Sequence, residues 1–250
     1  MIEVDRVSLS YDGTPVLREV ALRLPKGGVT AIIGPNGAGK STLLSIIGRI
    51  LRADAGRVTL DGMDLAQAPG REVARRLAVL RQDNHTSARL TVRDLVGFGR
   101  YPHSRGRLCA EDLAQIDRAL EYLGLSDLAD RFLDQLSGGQ RQRAHIAMIL
   151  AQDTDYILLD EPLNNLDIRH AVGIMTLIRR AAAELGKTIA VVMHDINIAA
   201  ACCERIVVMK EGQVIAHDTP AEIMKAEFLS EVYETPIEVV AVKDRLLALY

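Results

Sequence analysis

The sequence predicts an α/β fold: a core of parallel strands, an antiparallel β subdomain at the N-terminus, and an inserted helical subdomain. Three observations lead there. Residues 156–159 and 188–193 are continuous apolar runs of strand length, as central strands covered on both faces require. Val7, Leu9 and Tyr11, then Val20, Leu22 and Leu24, alternate with period two, the pattern of half-buried antiparallel strands. Between about 86 and 150 alternation gives way to helical spacing, as in Leu113, Ile116, Ala119, Leu120 and Leu123.

Taken in order, Asp12-Gly13-Thr14-Pro15 is a turn between the first two strands, and Pro25-Lys26-Gly27-Gly28 is a second turn. Residues 29–33 then form a strand, and Leu43, Ile46, Ile47 and Ile50 give the next helix one apolar face. Asp54-Ala55-Gly56 turns into a short strand at Val58-Thr59-Leu60, closed by Asp61-Gly62. After the helical insertion the core resumes, with a helix over about 168–185 that Gly186 ends. Residues 205–209 and 214–216 read as a hairpin around Glu211-Gly212, and Thr219-Pro220-Ala221-Glu222 reads as a capping box. The expected organisation is a nucleotide-binding core with its β subdomain at 1–85 and 151–220, a helical subdomain at 86–150, and a C-terminal extension of the same domain at 221–250.

Composition narrows the function. Hydrophobic residues at 48% and charged residues at 25% are those of a globular chain that buries a core. A formal net charge of −3 gives no basic field for nucleic acid. No apolar run reaches the roughly 20 residues that span a bilayer, and the N-terminus lacks the pattern of a signal peptide. Cys109, Cys202 and Cys203 have no metal-ligand spacing and make a poor disulfide framework, so reduced thiols are expected.

Gly34-Pro35-Asn36-Gly37-Ala38-Gly39-Lys40-Ser41 stands between the strand at 29–33 and the following helix, and reads G-x-x-x-x-G-K-[ST]. Its glycines let the backbone wrap a polyphosphate with N–H groups pointing inward. The helix N-terminus, begun by Lys40, Ser41 and Thr42, adds partial positive charge there. Lys40 supplies a cation for the outer phosphates, and the Ser41 hydroxyl is a ligand for Mg²⁺. A P-loop NTPase that binds a nucleoside triphosphate is the expectation.

Asp160 and Glu161 close an apolar strand. Asp160 is placed to hold Mg²⁺ through water, and Glu161 to orient or deprotonate an attacking water. His194-Asp195 ends the next strand; a histidine there either donates to the γ-phosphate or plays a structural part. Leu136-Ser137-Gly138-Gly139-Gln140 opens a further helix and makes a second anion-binding nest. One nucleotide hardly needs two cradles. A dimer in which each chain's second nest closes over its partner's nucleotide uses both.

With these motifs the chain resembles the ATP-binding subunit of an ABC transporter over nearly its whole length. LSGGQ at 136–140 matches the family signature without a departure. The resemblance implies an ABC ATPase core that binds ATP and Mg²⁺. It implies that Tyr11 stacks on adenine with Val16 nearby, and that Gln82 joins the metal to the transporter interface. It also implies that Asp160 and Glu161 are the Walker B aspartate and the catalytic glutamate, that Asp167 ends the D-loop, and that His194 is the switch histidine. Leu163-Asn164-Asn165 departs from the residues usual in that loop, which implies altered detail at the dimer contact.

Residues 89–96 and 99–103 are similar to the importer class for iron–siderophore complexes, haem and cobalamin. Residues 149–156 and 164–167 are most similar to ferric-siderophore members of the enterobactin and petrobactin types. The resemblance implies a homodimer on the cytoplasmic face of the cell membrane. It also implies polytopic permease subunits as partners and, through them, a substrate-binding protein, with no nucleic acid. Five arginines against one aspartate in 86–110 are either the permease-docking face or a solvated basic surface. An exporter or lipid-extraction ATPase, or a haem or cobalamin importer, uses the same nucleotide chemistry. A soluble ABC protein acting on DNA or ribosomes would carry a coiled coil or a tandem unit. A small-molecule kinase would not need LSGGQ.

Overall fold

A computed structural model describes residues 1–82, 88–243 and 245–250; the subdomain boundary expected at 85 and 86 lies outside the described residues. The chain divides into two compact units, one of residues 1–68 and 178–250, the other of 69–177.

In the first unit, β1 (Ile2–Tyr11) and β2 (Thr14–Leu24) pair antiparallel. Asp12 and Gly13 turn between them with φ of 49° and 78°. Val7, Leu9, Val20, Leu22 and Leu24 are buried, as their alternation requires. The helix after the P-loop, α1 (Lys40–Ile47), is shorter than its apolar spacing predicts. Arg49 takes a left-handed φ of 58°, the amides of Ile50 and Leu51 both turn back to the Ser45 carbonyl, and Ile50 is left 42% exposed. β4 (Ala55–Leu60) and β5 (Met63–Asp64) complete a sheet of order β2-β1-β4-β5.

The strand before the P-loop, β3 (Gly28–Ile33), lies parallel to β8 (Thr188–Val192) on one side and to β9 (Arg205–Lys210) on the other. β10 (Gln213–Asp218) pairs antiparallel with β9. Ala31, Ile32 and Ile33 are fully buried, which accounts for the unbroken apolar run. α8 (Ile196–Cys202), α9 (Pro220–Ile223), α10 (Ala226–Tyr233) and the hairpin of β11 (Glu238–Val242) and β12 (Arg245–Leu249) follow. The capping box expected at Thr219 does not close. The Asp218 carboxylate accepts from the Thr219 amide at 2.8 Å, and Glu222 pairs instead with Lys225 at 2.6 Å.

In the second unit, β6 (Leu77–Leu80) and β7 (Tyr156–Asp160) are parallel. Its helices are α2 (Gly70–Ala74), α3 (Val92–Phe98), α4 (Tyr101–Ser104), α5 (Ala110–Tyr122), α6 (Gly138–Ala151) and α7 (Ile168–Glu184), the last running into the first unit beyond Leu177. Ile116, Ala119, Leu120 and Leu123 are buried as their spacing predicts, but Leu113 is 45% exposed. Buried Asp112 takes the position Leu113 was expected to share, because its carboxylate meets the guanidinium of buried Arg100 at 2.9 Å. A Cβ on Gly99 would lie 2.1 Å from the Met148 carbonyl oxygen, so only glycine permits that approach between the end of α3 and α6. The arginines of 88–110 do not form one basic face. Arg100 is buried, Arg93 pairs with Asp117 at 2.6 Å, and Arg89 lies 4.1 Å over the Phe132 ring. Cys109, Cys202 and Cys203 are free thiols.

Candidate functional site

In the first unit the P-loop holds its shape through backbone geometry that side chains would block. Gly34 has a φ of 145°, and a Cβ there would lie 2.0 Å from the Met209 carbonyl oxygen. Gly39, with φ 92°, would bring a Cβ to 2.7 Å from Leu17 and 3.0 Å from the Val16 carbonyl oxygen. Gly37 instead faces open space, where a ligand can approach the backbone. Lys40 is buried, its ammonium donating to the carbonyls of Gly34 at 2.8 Å and Pro35 at 2.9 Å. The amide of Ala38 donates to the Pro35 carbonyl at 3.2 Å, tightening the same turn around Asn36.

A brace beneath the loop escaped the sequence reading. The Gly212 amide donates to the Ala38 carbonyl, while the Gly212 carbonyl accepts from Arg18, at 3.2 and 2.9 Å. A Cβ on Gly212 would lie 2.4 Å from the Val16 carbonyl oxygen. Glu211-Gly212 was legible as a turn, but nothing in sequence linked that turn to the P-loop. Val16 therefore touches the loop through its backbone, and Tyr11, at the tip of the β1–β2 hairpin, is 49% exposed. His194 is exposed and shares a cavity of about 400 Å³ with Gly34, Pro35 and Asn36.

In the second unit Asp160 ends β7 buried, and Glu161 follows in a left-handed conformation with φ 49°. The Glu161 carboxylate accepts from the Gln82 amide at 2.7 Å and from the Asn164 amide. Asn164, in the stretch that departs from the family pattern, thus reaches Glu161 within its own chain.

The signature opens α6. Leu136 is buried, and the Ser137 hydroxyl accepts from the Gln140 amide at 3.3 Å. The Gln140 side chain accepts from the Ser137 amide at 2.9 Å, closing a capping box. Gly138 faces open space, whereas Gly139 lies against the ring of His170. The Asp167 carboxylate accepts from the His170 amide at 2.8 Å and lies 2.7 Å from its Nδ1. The bond from the His170 amide holds the Asp167 carboxyl below the ordinary carboxylate range, with the His170 ring adding to it.

The residues present suit a nucleoside triphosphate with Mg²⁺. Gly34 and Gly39 are closed to a Cβ and Gly37 is open, a backbone geometry that suits a phosphate cradle. The Ser41 hydroxyl in the first unit, and the Asp160 carboxylate and Gln82 amide oxygen in the second, are each hard oxygen donors of the kind Mg²⁺ takes. No group of three or more His, Cys, Asp or Glu side chains among the described residues forms a metal cage by itself.

The ABC transporter family profile matches residues 17–164. The chain is 48% identical over 250 residues to the petrobactin import ATP-binding protein YclP of Bacillus subtilis, covering 100% of this chain and 99% of that one. It is 41% identical to the ferric enterobactin transport ATP-binding protein FepC of Escherichia coli, over 92% of this chain and 85% of that one. Its fold matches the dimeric structure of MJ0796, a bacterial ABC transporter cassette, with a TM-score of 0.78, 31% identity, and coverage of 88% and 99%. Motif, fold and whole-length likeness agree, and the chain belongs to the ABC transporter family as one of its ATP-binding, ATP-hydrolysing subunits.

Proposed function

We propose that this chain powers import of a ferric siderophore through a membrane permease. The observation that carries this is the 48% identity, end to end, with a petrobactin import ATP-binding protein. The likeness to a ferric enterobactin transport subunit supports the same cargo class.

In this reading Lys40 and the backbone amides of 34–42 take the phosphates of ATP, and Tyr11 with Val16 takes the adenine. Ser41, Gln82 and Asp160 would hold Mg²⁺, which would supply charge neutralisation for the outer phosphates. Glu161 orients water and accepts its proton, while His194 donates to the γ-phosphate; attack at phosphorus forms inorganic phosphate as the bond to the leaving ADP breaks. Two copies pair head to tail, so that Leu136, Ser137, Gly138, Gly139, Gln140 and Asp167 of each reach the other's nucleotide. Support for the dimer comes from the paired cassettes of MJ0796, one bound to ADP and Pi.

The permease is bound at the cytoplasmic face of the membrane and receives its cargo from a substrate-binding protein. No helix among the described residues is long and apolar enough to cross a membrane. Phe98 and Tyr101, 54% and 64% exposed, support a docking surface on α3 and α4.

The test is purification of the tagged chain from its native membranes in mild detergent, followed by uptake assays in cells lacking it. Co-purification of a stoichiometric polytopic permease, with loss of ferric-siderophore uptake, is expected. Loss of haem or cobalamin uptake instead, or of an exported substrate or lipid, would replace the cargo. Recovery of soluble partners alone would overturn the importer reading.

A further inference from the structure

The last thirty residues have no part in the mechanism above, yet some of them share a cavity with its histidine. α8 begins directly after His194: Asp195 caps it, its carboxylate accepting from the Ile198 amide at 2.9 Å. At the second residue of the helix, the Asn197 side chain grips the C-terminal hairpin. Its Nδ2 donates to the Ala248 carbonyl at 3.1 Å, and its Oδ1 accepts from the Ala248 amide at 2.7 Å. Ala248 pairs with Val239 across the hairpin and is buried. The Asn197 amide therefore completes both backbone groups of one β12 residue, as a neighbouring strand would.

The same segment walls the cavity beside the P-loop. Tyr233, Thr235, Ile237 and Tyr250 line it together with Gly34, Pro35, Asn36 and His194. The Tyr233 hydroxyl is buried without a hydrogen-bond partner among the described residues, and burial pushes its pKa up to about 12. α8 has seven residues, and a helix under about 12 is marginal without tertiary contacts. What fixes its first turn, and the histidine before it, must come from outside the helix.

We propose that the C-terminal hairpin is a positioning element for ATP hydrolysis, with Asn197 the residue that ties it to His194. Asn197 touches no substrate; it holds the start of α8, and so the imidazole, in place against the P-loop. This rests on the role given to His194 above. A histidine that drifts by about an ångström loses its alignment with the γ-phosphate, while phosphate binding by the P-loop persists.

The experiment compares kcat and KM for ATP in the full-length chain for Asn197→Ala, Asn197→Asp, His194→Ala and the combinations with His194→Ala. Asn197→Ala is expected to lower kcat about tenfold with KM within about twofold. Asn197→Asp, which keeps the acceptor for the Ala248 amide, should recover part of that loss. In the His194→Ala background neither substitution should cost more, since the residue they act through is gone. Unchanged kcat in both Asn197 variants, matched losses in kcat and KM, or full additivity with His194→Ala would each overturn the proposal. If Asn197→Ala fails to fold, the Asn197→Asp pair decides by the same criteria. His194→Ala with normal kcat would remove the histidine's role and the proposal together; a slow His194→Ala with additive Asn197 variants would remove only the proposal.

Discussion

The ring of His170 lies so close over Gly139 that a Cβ on the glycine would sit 2.3 Å from the imidazole Cδ2. His170 is also tied to Asp167 through its amide and its ring. A residue of the signature and a residue of the D-loop are therefore packed through one side chain. Gly139→Ala should push the ring away and break its bond to Asp167. Steady-state ATPase should fall about tenfold or more, because groups proposed to meet a partner chain lose their alignment. His170→Ala should relieve part of the loss in the double variant, a coupling that a double-mutant cycle reads directly.

Glu161→Gln should keep the geometry around Gln82 and Asn164 sufficiently to bind ATP, yet remove the carboxylate proposed as the base. Turnover should drop about 10²- to 10⁴-fold. ATP-loaded protein should then elute as a dimer on size exclusion; near wild-type turnover would remove Glu161 from its role.

Lys40→Ala removes the buried cation that the P-loop carbonyls hold ready. Charge-assisted bonds of this kind are worth about 1.5–3 kcal/mol, so ATP affinity should fall about 10- to 150-fold by titration calorimetry. Mg²⁺-dependent hydrolysis should fall with it.

The Arg100–Asp112 pair is buried on both sides and also satisfies the Ala151 carbonyl. The Cys109 amide, then its thiol and Arg100, hold the Asp112 carboxyl below its ordinary range against the opposing effect of burial. A depressed carboxylate contributes stability above its unfolded pKa and loses it as pH falls through the folded one. Asp112→Asn should therefore cost about 3–5 kcal/mol near neutral pH by leaving Arg100 buried and unpaired. It should also flatten the acid limb of a denaturation series below about pH 4.

His145, buried in α6, has an Nδ1 without a hydrogen-bond partner among the described residues. Burial, and then Arg141, lower its pKa. The unfolded chain takes up a proton near pH 6.5 that the folded chain refuses, so stability should decline as pH drops below that value. His145→Leu should remove this part of the slope in urea melts at pH 5 to 7; an unchanged slope would place its origin elsewhere, such as His217.

The motifs from which the site is proposed are legible because their chemistry is local. Glycine spacing, Lys40, Ser41 and the apolar strand before them specify a phosphate loop within one stretch of chain. Asp160 and Glu161 announce themselves at the end of a buried strand, and LSGGQ at the start of a helix. Short elements were harder. Apolar spacing at Ile50 could not register that Arg49 turns the chain out of α1. A capping box at Thr219 could not compete with the carboxylate of Asp218 next to it.

The sequence alone determined the fold class, the nucleotide chemistry and the family, since periodicity and motif spacing act over a few residues. Only the tertiary structure decided which distant groups complete them. Gly212 braces the P-loop, His170 packs on Gly139, Gln82 and Asn164 meet at Glu161, and Asn197 holds Ala248. These contacts satisfy backbone and side-chain polar groups and fill close approaches between segments up to 194 positions apart, the separation of Arg18 and Gly212. No local pattern encodes such pairs, because the partner for each polar group is chosen by packing after the strands and helices have formed.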